Sequence, residues 1–280
     1  MRIFAKMVLF VYVAIHMGAC LPDPLEVEGV PVPEQQVVVG SQLIPNQFIA
    51  ISLTKNFAAL EAGPESDLES VLADLLISDV AVNISADGTP YRMIEIVSGI
   101  YGINDLPQIP GTQYTLSFLN PLNQDSTLAE ATALPFVGFS NIDPILDYTE
   151  FDSLLRVKFS IDDPPGANWY MINAQSIGTS IDITTRPYTQ LYTDEGVDGG
   201  VIEDQFTVLF RDFTERDTVL ISMANISEEY FNFLQLRDNQ QFLLLDGLGE
   251  PVNYTTNVDN GLGFFNVHIP DIRFFELKDL

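Results

Sequence analysis

Histidine, thiol and positive charge are scarce in this chain of 280 residues, and each scarcity removes a class of function. Cys20 is the only cysteine, and His16 and His268 are the only histidines. A Cys/His zinc site, a Cys-His nucleophile pair and a multi-histidine iron centre therefore lack their ligands. A Ser-His-Asp triad would have to use His268, which alternates with Val267 and Ile269 in a strand-like run where packing is the commoner role. Lys and Arg number 12 against 39 acids, giving a net charge of −27. A field of that sign repels phosphate backbones, so nucleic acid is excluded as a partner. Beyond the N-terminus no apolar run reaches the roughly 18 residues that a spanning helix needs. The chain also lacks a phosphate-cradling G-x-G-x-x-G or Walker loop, and it has no repeat of fixed period that would suggest a solenoid or propeller.

What is present begins with MRIFAKMVLFVYVAIHMGA over residues 1–19. Arg2 and Lys6 precede an apolar run from Met7 to Ile15, and small residues follow, which is the layout of a secretory signal peptide. Cys20 comes directly after Met17, Gly18 and Ala19, where bacterial signals that direct lipidation place their cysteine. Cys20 is thus the expected lipidation site, and acyl chains on it would hold the protein to a membrane at about 0.8 kcal/mol per buried methylene. Residues 20–35 carry four prolines and four acids without apolar periodicity, the pattern of an extended tether.

The remainder reads as all-β with one or two short helices. In the region 36–135, Val80, Val82 and Ile84 alternate with polar residues before Asp87-Gly88, a hairpin signal, and Tyr91 to Val97 reads as the return strand. Tyr114, Leu116 and Phe118 alternate again. This spacing predicts an immunoglobulin-like or transthyretin-like sandwich. Ser66 with Glu69 forms a capping box ahead of helically spaced leucines, so a short helix is expected to interrupt the strands. In the region 136–280, Leu155, Val157, Phe159 and Ile161 alternate with Arg156, Lys158 and Ser160, and further strands are expected at 169–177, 206–213 and 218–224. Ser227 followed by Glu228 and Glu229 predicts a helix near 228–240. A second β-sandwich or a partly open barrel is the expectation here.

The segment PVNYTTNVDNGLGFFNVHIP, from Pro251 to Pro270, resembles the ending of a family of Bacteroidota outer-membrane lipoproteins, domain of unknown function 4249. Ala50 to Thr54, Asp79 to Val82, Gly111 to Leu116, Asp194 to Gly199 and Val219 to Phe233 fit the same family. The resemblance implies an outer-membrane lipoprotein accessory to TonB-dependent, SusC/SusD-like uptake systems, and it carries no reaction. Asp23, Glu26 and Glu28, close behind Cys20, resemble the signal that sends such lipoproteins to the cell exterior.

The residues allow three further expectations. Asp194, Glu195 and Asp198, in a glycine-rich turn, are candidate oxygen ligands for Ca²⁺, although EF-hand spacing is absent and a solvated loop explains them as well. Trp169, Tyr170, Tyr188 and Tyr192 are candidates for an aromatic ligand platform, with core packing as the alternative. Asn257, Asn260, Gly261 and Gly263 tolerate positive φ and are expected to build a structural turn before Phe264 and Phe265. Glycoside hydrolysis would need a pair of carboxylates, and no spacing singles one out. The expected function is therefore non-catalytic and without a cofactor: a binding or accessory module with an outer-membrane β-barrel partner. The alternative is a structural part of an envelope or secretion complex.

Overall fold

Period-two alternation builds most of the strands, and the cores follow from which face each strand buries. In this computed structural model the described residues are 34–44, 48–56, 68–148, 153–177, 188–210, 217–245 and 254–280. Cys20, nearly all of the tether and Ser66 lie outside them.

The first region comprises β1 (Val37–Ile44), β2 (Phe48–Lys55), α1 (Leu68–Leu75), β3 (Asn83–Ala86), β4 (Thr89–Arg92), β5 (Ile94–Val97), β6 (Ile100–Ile103), β7 (Gln113–Leu119) and β8 (Ser126–Thr132). The Asp87-Gly88 signal makes the β3–β4 hairpin, with both residues at positive φ as a type I′ turn requires. Two sequence expectations fail here. The alternating run of Val80, Val82 and Ile84 becomes strand only from Asn83, and Asp79 ahead of it takes a φ of 60°. The expected return strand from Tyr91 to Val97 breaks at Met93, whose N–H bonds back to Val82 O, so β4 and β5 enter different sheets.

The second region comprises β9 (Phe139–Tyr148), β10 (Ser153–Asp162), β11 (Trp169–Ile177), β12 (Tyr188–Thr193), β13 (Val201–Phe210), β14 (Thr218–Ile226) and α2 (Glu228–Leu245). The chain ends in β15 (Val258–Asp259), β16 (Leu262–Phe264), β17 (Asp271–Glu276) and a short 3-10 turn. Ser227 caps α2 as expected, its Oγ accepting from Tyr230 N–H at 3.2 Å.

The strands form four sheets, ordered β16-β1-β2-β6-β5, β15-β8-β7-β3-β4, β13-β10-β9 and β12-β11-β14-β17. The first two share a core that includes Val39, Ile51, Leu53, Ile84, Tyr101, Tyr114, Leu116 and Phe265. The last two share another, with Leu155, Val157, Phe159, Ile161, Tyr170, Ile172 and Ile221. Among the described residues the fold is therefore all-β with two α-helices, built as two sandwiches; each buried side chain of this size contributes about 1.5–3 kcal/mol. Residues 257–267, which the sequence reading placed in the second region, are instead built into the first sandwich, because β16 pairs parallel with β1 and β15 pairs with β8. A third cluster joins the two: Tyr230, Phe231 and Leu234 of α2 pack with Met171, Ala224 and Ile226 of the four-stranded sheet and with Phe264 of β16.

Candidate functional site

Among the described residues, three carboxylates come together where two turns meet. Asp162 to Gly166 opens the connection from β10 to β11, and Asp194 to Gly200 joins β12 to β13. Because β10 pairs with β13 and β11 pairs with β12, both turns emerge at one end of the second sandwich. One oxygen from each of Asp163, Asp194 and Asp198 lies within 4.8 Å of the other two, with the first two residues buried and the third exposed.

These carboxylates clasp the turns. Asp163 Oδ1 accepts from the Tyr170 hydroxyl, and Oδ2 accepts from Gly199 N–H at 2.9 Å. Asp194 Oδ2 accepts from Asn168 N–H at 2.8 Å, and Asp198 Oδ1 accepts from Gly166 N–H at 2.8 Å. The Asn168 side chain closes its own turn by donating to Pro164 O at 2.8 Å and Gly166 O at 2.7 Å. Buried carboxylates are tolerable where backbone amides and a phenol donate to them. Burial raises the Tyr170 pKa, and the hydrogen bond to Asp163 and that residue's charge raise it further, so the phenol stays a donor. Chemically, the trio could offer three oxygens to a hard cation, short of the six to eight that calcium takes. The expected ligand set is corrected in one member: Glu195 is exposed and stands outside the cluster, and Asp163 of the other turn takes its place. Only the pairing of β10 with β13 could have revealed Asp163, and no local pattern encodes that pairing.

The aromatic platform is not assembled. Trp169 and Tyr170 are neighbours on β11, so period two sends them to opposite faces. Tyr170 is fully buried in the second core, while Trp169 packs toward α2. Tyr192 sits edge-on to Phe159 at a centroid distance of 5.1 Å, and Tyr188 stacks on Phe206 at 5.9 Å. Core packing accounts for most of this set.

The C-terminal motif is structural. Gly263 has a φ of 91°, and a Cβ there would stand 2.0 Å from Val39 O, so only glycine lets β16 cross β1 this closely. At Gly261 a Cβ would come within 2.9 Å of Val37 Cγ1. Asn260 takes a φ of 58° and donates from Nδ2 to Ser126 O at 2.9 Å. Asn257 donates from Nδ2 to Glu130 O and Phe265 O, both at 2.8 Å, and accepts from Phe265 N–H at 2.8 Å. His268 is buried, its Nδ1 3.0 Å from Asn266 Nδ2, and burial lowers its pKa to about 4. A neutral, enclosed imidazole of this kind is poorly placed as a general base for an outside substrate.

One ligand-sized groove, of about 460 Å³, lies beside the clasp and is lined by Phe136, Phe139, Asp162, Pro164, Asp271 and Arg273 among others. Asp271 anchors its wall by accepting from Phe139 N–H at 2.9 Å and from Arg273 Nε and Nη2 at 3.0 Å each.

Comparison with known proteins gives one family. The profile of a domain of unknown function, DUF4249, matches residues 23–269. No curated protein matches the chain. Among solved structures, a DUF3823 family protein from Parabacteroides merdae aligns at 16% identity over 52% of this chain and 78% of its own, with a TM-score of 0.21. That likeness is too loose to carry an argument.

Proposed function

Because the chain belongs to the DUF4249 family, a description that assigns no reaction, we propose that it is a lipid-anchored outer-membrane lipoprotein of a Bacteroidota cell. In this reading it faces the cell exterior and serves as a non-catalytic binding or accessory module for a β-barrel uptake receptor of the TonB-dependent, SusC/SusD-like kind. The observation that carries the anchor is Cys20, the sole cysteine, placed directly after a signal-like stretch and followed by a proline- and acid-rich segment before β1 begins at Val37. The non-catalytic part draws support from His268, which is enclosed beside Asn266, and from the acid trio, whose oxygens accept from turn amides and a buried phenol. A stable scaffold with sheet edges and a shallow groove suits docking onto a larger partner.

The test is a mild-detergent pull-down of the tagged lipoprotein from its native membrane. An outer-membrane β-barrel should co-purify in stoichiometric amount. Recovery of the lipoprotein alone would remove the accessory role while leaving the anchor standing.

A further inference from the structure

The tether's point of attachment and a cluster of exposed leucines share one end of the first sandwich. The fold proper begins at Gln36 and Val37; Gln36 N–H donates to Asn56 Oδ1 at 2.7 Å, and Val37 pairs with Lys55. Gly261 abuts Val37, and its neighbour Asn260 donates to Ser126 O. Asn120 Nδ2 and Thr127 Oγ1 donate in turn to Asn260 O at 3.3 and 3.4 Å. The β7–β8 turn, residues 120–125, is thereby fixed beside the start of β1. On and next to that turn stand Leu119, Leu122 and Leu128, exposed by 56%, 38% and 40%. Leu119 pairs with Ser126 and Ser117 with Leu128, so the two leucines are diagonal neighbours on the outer face of their sheet.

The opposite end of the same sandwich faces elsewhere. Strand β8 runs from Ser126, at the end where β1 begins, to Thr132, and the chain continues through Pro135 into β9 of the second sandwich. The chain therefore leaves for the second sandwich and the acid clasp from the end remote from Val37.

We infer that the β7–β8 end of the first sandwich is a membrane-contact surface, with Leu119, Leu122 and Leu128 seated in the lipid interface of the bilayer that holds the acyl chains. The inference rests on the anchored reading above. Sixteen residues separate Cys20 from Val37, a reach of at most about 60 Å when fully extended, so the anchor keeps this end near the lipid without pressing it there. The leucines supply the apolar contact that fixes orientation, since apolar side chains partition into the headgroup and acyl boundary. In this pose the second sandwich projects away from the membrane with its groove and sheet edges open to a partner.

With Cys20 acylated, an introduced cysteine is the only free thiol, which permits a direct test. The full-length lipoprotein carrying Leu122→Cys is labelled with an environment-sensitive fluorophore and reconstituted into phosphatidylethanolamine–phosphatidylglycerol vesicles containing nitroxide lipids. Leu119→Cys serves as a second reporter, and Val201→Cys, exposed on β13 of the second sandwich, as the remote control. The labels at 119 and 122 should shift to the blue and lose at least half of their emission to the nitroxide, while the label at 201 stays unquenched. Vesicle-bound protein with no quenching at 119 or 122, or with equal quenching at 201, overturns the orientation and leaves the anchor intact. A blue shift at 122 that needs a second copy, disappearing at one protein per vesicle, overturns it in favour of self-association. Protein that fails to float with the vesicles overturns the anchored reading and the inference together.

Discussion

The two sandwiches are closed by different kinds of contact. In the first, distant parts of the chain meet: Ser41 Oγ donates to Phe264 O across 223 positions, and β1 is bordered by a strand from near the C-terminus. In the second, the strand pairs fall within residues 139–276, and the end beside the groove is fastened by short turns whose carboxylates accept from nearby amides. Long-range closure is entropically expensive and slow to form, and it tolerates few errors where the strands cross. Turn clasps link segments only 26 to 36 positions apart and can each be weakened without unmaking the sheet. The comparison predicts graded damage, greatest at the crossing in the first sandwich and least on the outer face of the second.

The largest effect is expected from Gly263→Val. The new Cβ would collide with Val39 O and hold a φ that valine avoids, so loss of about 4 kcal/mol or more is expected. Urea unfolding should show the first sandwich lost, with tyrosine and phenylalanine signals of the second retained longer.

Acid comes next. Folded His268 takes up a proton only near pH 4, against about 6.5 in an unfolded chain, because burial disfavours its charged form. Stability from this group is intact above about pH 6.5 and falls as pH drops toward 4, by roughly 3 kcal/mol in full. His268 lies between β16 of the first sandwich and β17 of the second, so acid should loosen the stretch that joins them. His268→Gln should flatten the dependence of the urea midpoint on pH between 7 and 4.

Asp163→Asn should cost about 2 kcal/mol, because it removes the charge from two buried acceptor bonds, to Tyr170 and Gly199. The loss should appear in the second sandwich alone, as faster amide exchange across residues 163–168 and 194–200.

Much of this was legible in sequence, and the parts that were not share a physical cause. Alternation revealed β7 and β10, Asp87-Gly88 revealed the β3–β4 hairpin, and Ser227-Glu228-Glu229 revealed the start of α2, since each is encoded within a few residues. The glycines and asparagines before Phe264 announced a tight turn, and the structure adds the reason, a strand lying against Val37 and Val39. Which sheet received β16, and which turn supplied the third carboxylate, depended on pairings between distant residues that no local pattern carries. The aromatic set misled for the opposite reason: Trp169 and Tyr170 are adjacent in sequence, yet a strand turns adjacent side chains to opposite faces.

The smallest effect closes the series. Arg156 and Asp147 form an ion pair on the outer face of the three-stranded sheet, with both side chains 41% exposed. Arg156→Ala should change stability by less than about 1 kcal/mol, since solvent screens such pairs. A larger loss there would mean that the outer face of the second sandwich is structurally committed, which the comparison does not expect.

The central claim is the anchor at Cys20, because the tether, the orientation of the first sandwich and the exposure of the second to a partner all depend on it. Mass spectrometry of the N-terminal peptide from protein extracted from its native membrane tests it directly. A peptide that begins at Cys20 and carries a diacylglyceryl group is the expected result; an unmodified Cys20, or an N-terminus elsewhere, would contradict it.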